Sequence, residues 1–155
     1  TDAHQEYELL AEPQGYIAVD RIDTTSTTTV FGFSTTTTTQ ETYSPALVVG
    51  PGTRWCEGEE WTTESVTETV VVDGGSPEVG PSASWNGVVD AVNLPLTTPA
   101  GSFMTVVSTR YLTSGEDAGG WTRAWTDMAT SVLVRQEVYE RGGEQVGFFE
   151  ATSID

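Results

Sequence analysis

Lysine is absent from this 155-residue chain, and histidine and cysteine occur once each, as His4 and Cys56. The six basic residues are all arginine, against 23 acids, for a formal net charge of −17. Such a chain repels phosphate backbones, so nucleic acid is not expected as a partner. It also lacks the basic patch that anionic membrane surfaces attract. The acidity reads first as solubility, in a medium whose salt screens self-repulsion; the functional alternative is a divalent cation or a basic partner. One cysteine excludes an internal disulfide. Cys56 follows Trp55 amid Glu57, Glu59 and Glu60, which disfavour a thiolate, so it reads as an idle thiol. His4 alone supplies neither a hydrolase triad nor a zinc set within one chain. No cofactor is implied. No apolar run approaches membrane-spanning length, so no transmembrane segment is expected. No asparagine precedes an x-Ser/Thr pattern. The sequence opens on Thr1 rather than methionine, which reads either as a trimmed chain or as one whose leader was removed. The acidic, threonine-rich composition predicts an exported protein whose leader was removed, periplasmic, outer-membrane-anchored or extracellular.

What is present is β-pattern. The clearest stretch is Leu94–Leu112. Pro99-Ala100-Gly101 leads into a strand with Phe103, Thr105, Val107, Thr109 and Tyr111 on one face and Met104, Val106, Ser108, Arg110 and Leu112 on the other. Gly15–Ile22, Glu59–Asp73, Trp85–Leu96, Trp121–Asp127, Ser131–Tyr139 and Gln145–Ile154 also read as strands. In Glu59–Asp73, alternation puts Trp61, Thr63, Ser65, Thr67 and Thr69 on one face and Glu64, Val66, Glu68, Val70 and Val72 on the other. Tyr43–Thr53 reads as a connector with a short buried piece at Ala46–Val49, and Ser114–Gly120 as a turn.

Asp23–Gln40 is low in complexity, two threonine runs around Val30-Phe31-Gly32-Phe33. Threonine suits a half-exposed pleated face, and mucin-like stalks want proline here, so two strands are expected near residues 26–34 and 36–43. Residues 1–14 form an N-terminal arm or edge strand, and residues 15–155 a single antiparallel β domain. No convincing helix is found. About nine to eleven strands predict an all-β fold with little or no helix: a strongly curved antiparallel sheet (a half-barrel), a barrel or a β-sandwich.

Pro99-Ala100-Gly101-Ser102-Phe103, then Trp121–Trp125, then Val132-Leu133-Val134-Arg135, then Phe149-Glu150-Ala151-Thr152-Ser153 follow in an order that carries a resemblance. It resembles the C-terminal half of bacterial envelope lipoproteins and periplasmic proteins with half-barrels similar to the lipoprotein-localisation-factor fold. The likeness covers residues 94–155, and residues 54–72 loosely; Thr130 and Ser131 stand where that group usually has glycine. It implies a curved sheet and an envelope location. In the better understood members the concave face holds acyl chains of lipids or lipoproteins.

No acid stands out as catalytic, and a non-enzymatic protein is expected. Glu57, Glu59 and Glu60, and Glu116 with Asp117, are weak calcium candidates; otherwise no metal site is expected. The informative side chains are the five tryptophans. They either pack a core or wall a groove. The ligand-binding candidates are Trp61, Trp121, Arg123, Trp125 and Phe103. Arg123, between two indoles on one strand face, needs an indole to stack on or an acid to pair with. Three readings compete. One is an envelope protein binding a lipid-like ligand or a protein partner on its curved sheet. The second is a structural subunit of an extracellular filament or surface assembly, whose N-terminal arm adds a strand to a neighbour. The third, weaker, is a carbohydrate-active or carbohydrate-binding domain.

Overall fold

The computed structural model describes residues 2–11, 16–51, 55–115 and 117–153. Ten strands follow in chain order: β1 (Asp2–Ala11), β2 (Tyr16–Val30), β3 (Phe33–Pro51), β4 (Glu60–Val72), β5 (Glu78–Val79), β6 (Ala83–Thr98), β7 (Gly101–Ser114), β8 (Trp121–Asp127), β9 (Leu133–Tyr139) and β10 (Gln145–Glu150). No helix occurs among the described residues. All strands join one antiparallel sheet in the order β1-β2-β3-β4-β6-β7-β8-β9-β10, with the short β5 paired to β4. The sheet is strongly curled and forms a half-barrel.

The threonine-rich segment folds differently from the two strands expected near residues 26–34 and 36–43. β2 runs unbroken from Tyr16 and turns at Phe31-Gly32, where Val30 pairs with Phe33. Phe31 and Gly32 have φ of 51° and 81°, as a two-residue type I′ turn requires. Phenylalanine is a strand former, so the turn carries no turn signal at its first position. β3 then continues through the expected connector to Pro51. It pairs with β4 only over Thr39–Ser44. Beyond Ser44 it follows β2 alone, which brings Leu47 and Val48 towards the core.

β4 changes face part-way. Ser65 has φ of 55° and sits in a register shift between Thr63 and Val66. One extra residue reverses the alternation. Trp61, Thr63 and Val66 are therefore the buried side chains, whereas uninterrupted alternation puts Val66 opposite Trp61.

The core is small: Trp61, Val89 and Val106 at its centre, with Val48, Trp55 and Val92 against them. Two glycines make room for its indoles. A Cβ on Gly50 would lie 2.5 Å from the Trp55 ring, and one on Gly87 2.1 Å from the Trp61 ring. The Trp61 indole N–H donates to the Val48 carbonyl at 3.2 Å, tying β4 to the divergent half of β3. At the other end, Pro99 and Ala100 form the β6–β7 turn, and the Ala100 and Ala151 amides donate to Ala151 and Val134 carbonyls respectively. The Ala151 bond to Val134 carries the β9–β10 register one residue on, and the Ala100 bond ties it to the turn; β10 itself ends at Glu150, short of the expected strand, whose last residue Ile154 lies outside the described residues.

Candidate functional site

The ladders β4–β6–β7–β8–β9–β10 place side chains in rows running across the strands. One row reads Thr62, Asn86, Tyr111, Trp121, Tyr139. The next reads Glu60, Val88, Thr109, Arg123, Glu137, Phe148, and a third contains Val107, Trp125, Arg135 and Glu150. Alternation puts all of them on the sheet face opposite Trp61, Val89 and Val106.

Aromatic rings and guanidinium groups interleave on this face. Trp121 and Tyr139 stack with ring centroids 3.7 Å apart and planes 12° off parallel. The Arg123 guanidinium lies 5.2 Å from the Trp121 ring centroid. Its Nε donates to the Thr109 hydroxyl at 3.2 Å and stands 4.0 Å from the Asp90 carboxylate. The Thr109 hydroxyl in turn donates to Asp90. The Arg135 guanidinium sits 5.0 Å from the Trp125 ring and 5.3 Å from the Phe148 ring. It donates to Glu137 and lies 3.9 Å from Glu150. The Tyr139 hydroxyl donates to Glu137 at 2.9 Å; that bond first, then burial, pushes the phenol above its ordinary value. Each arginine on the face thus has both an aromatic ring and a carboxylate, which holds it in one place.

Beside these rows lies a shallow groove of about 280 Å³, lined by Glu60, Trp61, Thr62, Asn86, Gly87, Val88 and Tyr111. Side chains of the first two rows wall it. Trp61 and Gly87 alternate to the other face, so their backbones form its floor.

The sequence candidates therefore separate. Trp121, Arg123 and Trp125 come together on the half-exposed face, and Arg123, expected to find an indole or an acid, has one of each beside it. Phe103 alternates to the same face but at its far end, past Asp127, with its ring against Gly101. Trp61 is a core residue, 6% exposed, and reaches the groove only as floor. Asp117 is exposed in the β7–β8 turn, and Glu116 lies outside the described residues. No group of three His, Cys, Asp or Glu side chains among the described residues could hold a metal ion. The candidates missed were Asp90, Thr109, Tyr111, Arg135, Glu137 and Tyr139. A signal for three of them was present: Arg135-x-Glu137-x-Tyr139 has the same alternation as Trp121-x-Arg123-x-Trp125, and hairpin pairing sets the two side by side.

A second polar cluster lies where β3 and β4 part. The Tyr43 hydroxyl is shared between Glu41, at 3.0 Å, and Glu68, at 3.3 Å. Burial, then the Glu41 carboxylate, pushes Glu68 above the usual carboxylate range; its bond from Tyr43 works against this. Burial and both carboxylates push the Tyr43 phenol well up, so it stays protonated.

No protein-family profile, curated protein or solved structure matches the chain.

Proposed function

We propose that this is a non-enzymatic, exported envelope or surface protein that docks a protein partner on the Trp121–Arg123–Trp125 face of its curled sheet. The carrying observation is the set of interleaved rows, half-exposed Trp, Tyr and Arg held in fixed places by stacking and ion pairs. Tryptophan, tyrosine and arginine are the side chains that dominate binding energy at protein interfaces: the two aromatics offer large contact area at low entropic cost, and an arginine already held by stacking and ion pairs has less freedom left to lose. Arg123 and Arg135 offset two of the four acids on these rows, Glu60, Asp90, Glu137 and Glu150, so the face keeps a modest negative balance that suits a neutral or basic partner.

The test is quantitative capture from the envelope fraction of the source organism, with wild type and Trp121→Ala/Trp125→Ala as baits. A partner retained by wild type and reduced at least tenfold by the variant supports the reading. Equal capture by both refutes it. Native mass spectrometry showing lipid-sized added mass would instead make the occupant a lipid-like ligand.

A second reading, self-assembly as a structural subunit, is favoured by the two open sheet edges. β1 and β10 end the strand order, and β1 is ten residues long. Open edges invite strand addition. Concentration-dependent growth in sedimentation that is lost on deleting residues 1–14 would select it.

A further inference from the structure

The tip of the β2–β3 hairpin stands apart from the face described above. In a chain of net charge −17, the seventeen residues Thr24–Gln40 carry no charged side chain. On the β3 side the neighbouring strand stops short of the tip: β4 ends opposite Thr39. From Phe33 to Thr37 the outer edge of β3 has no paired strand among the described residues, roughly 17 Å at strand rise. The hairpin ends in three exposed apolar side chains, Val30 at 55%, Phe31 at 98% and Phe33 at 81%.

These side chains do nothing visible for the fold. Phe31 occupies the left-handed region with φ of 51°, at the turn position where asparagine, aspartate or glycine is favoured. Strain at an exposed aromatic points to a use outside folding. Behind the tip, hydroxyls pair across the hairpin, Thr27 with Thr36 at 3.1 Å and Thr29 with Ser34 at 2.8 Å. Paired hydroxyls lose less when water thins around them than free ones do.

We infer that the Val30-Phe31-Gly32-Phe33 tip inserts into the interfacial layer of an electrically neutral lipid surface, with the threonine collar at headgroup level. Aromatic and aliphatic groups at a tip favour that layer, and no charge is dragged in with them. The outward backbone groups on the open β3 edge forbid deeper entry, since hydrocarbon leaves them unpaired. A neutral surface is specified because an anionic one repels the rest of the chain. A second copy is a poorer occupant. Three side chains, at about 150–250 Å² for each ring, fall short of the roughly 800 Å² per partner that a specific interface takes.

The experiment is flotation of the whole chain with phosphatidylcholine vesicles, using wild type, Phe31→Asn, and Phe31→Asn/Phe33→Thr. Phe31→Asn installs the preferred Asn-Gly turn, so its melting temperature should equal or exceed that of wild type. Wild type should float; the single variant should bind several-fold less and the double variant at least tenfold less. Adding anionic lipid should weaken wild-type binding, and salt should restore it. Failure of wild type to float, equal flotation of the double variant, or a tip-dependent dimer without vesicle binding would each overturn the inference. Because Trp121 and Trp125 lie on another surface, their substitution should leave flotation unchanged, which separates this result from that of partner capture.

Discussion

Gly87→Ala is a one-methyl change whose sign tests how the core is built. In an unobstructed strand, alanine is more stable than glycine by roughly 0.5–1 kcal/mol. Here the new methyl would lie 2.1 Å from Trp61 Cε2, 2.3 Å from Cζ2 and 2.6 Å from Nε1. Ordinary carbon contacts are about 3.5–4.0 Å, so the indole has to move by more than an ångström. It cannot move freely, being 6% exposed and bonded through Nε1 to the Val48 carbonyl. Overpacking of this kind costs about 1–3 kcal/mol, and the indole hydrogen bond adds about 1 kcal/mol if it breaks. The expected net loss is about 2–3 kcal/mol, or a fall in Tm on the order of 5–10 °C for a chain of this size. Urea unfolding followed by far-ultraviolet circular dichroism measures it without depending on tryptophan signal. Trp61→Leu alone should cost about 2–4 kcal/mol by leaving a cavity. The double variant should be at least about 1 kcal/mol more stable than the two losses summed, because the new methyl then enters vacated space. A Gly87→Ala variant as stable as wild type, or strictly additive losses, would refute this account.

The same substitution should have opposite signs at two buried threonines. The Thr109 hydroxyl donates to Asp90 and accepts from Arg123, so Thr109→Val should cost about 1–3 kcal/mol in urea unfolding. The Thr63 hydroxyl is buried and has no hydrogen-bond partner, so Thr63→Val should stabilise by about 1 kcal/mol; equal effects at both sites would contradict the assigned bonding. Glu68 gives a pH test. Its raised pKa means that the folded chain holds this proton more tightly than the unfolded one. The site's contribution is fully present below the ordinary carboxylate value of 4.5 and is lost as pH rises through the raised folded value. Glu68→Gln should therefore raise Tm over wild type near neutral pH and converge with it near about pH 4; a constant offset between the two melting curves would count against it.

The C-terminal half of the fold was legible because its signals agree locally. β7 follows a recognisable proline-glycine entry, the β8, β9 and β10 segments are short, and Gly-rich acidic turns mark the β7–β8 and β9–β10 connections. The N-terminal half was less so, for two reasons. The β2–β3 turn is made by Phe31-Gly32, and the phenylalanine disguises it as strand interior. The register shift around Ser65 reverses the faces of β4, and period-two reading cannot see a bulge before pairing is known. The candidate site divides the same way. Trp121, Arg123 and Trp125 share a face because they share one regular strand. Asp90 belongs with them only through pairing in β6, next to a register shift at Val89/Ala91. Trp61 looked like a groove wall, but its partner across the ladder is Gly87, and the room that glycine leaves makes it core.

The strand order has a kinetic consequence. Apart from the β5 excursion, each strand pairs with the strand next to it in the chain. Loop-closure entropy is then met in small steps, one hairpin at a time. Folding speed follows the sequence separation of contacts, so this sheet should form faster than sandwiches of similar length whose strands cross between layers. Growth can begin at either end of the chain and extend strand by strand.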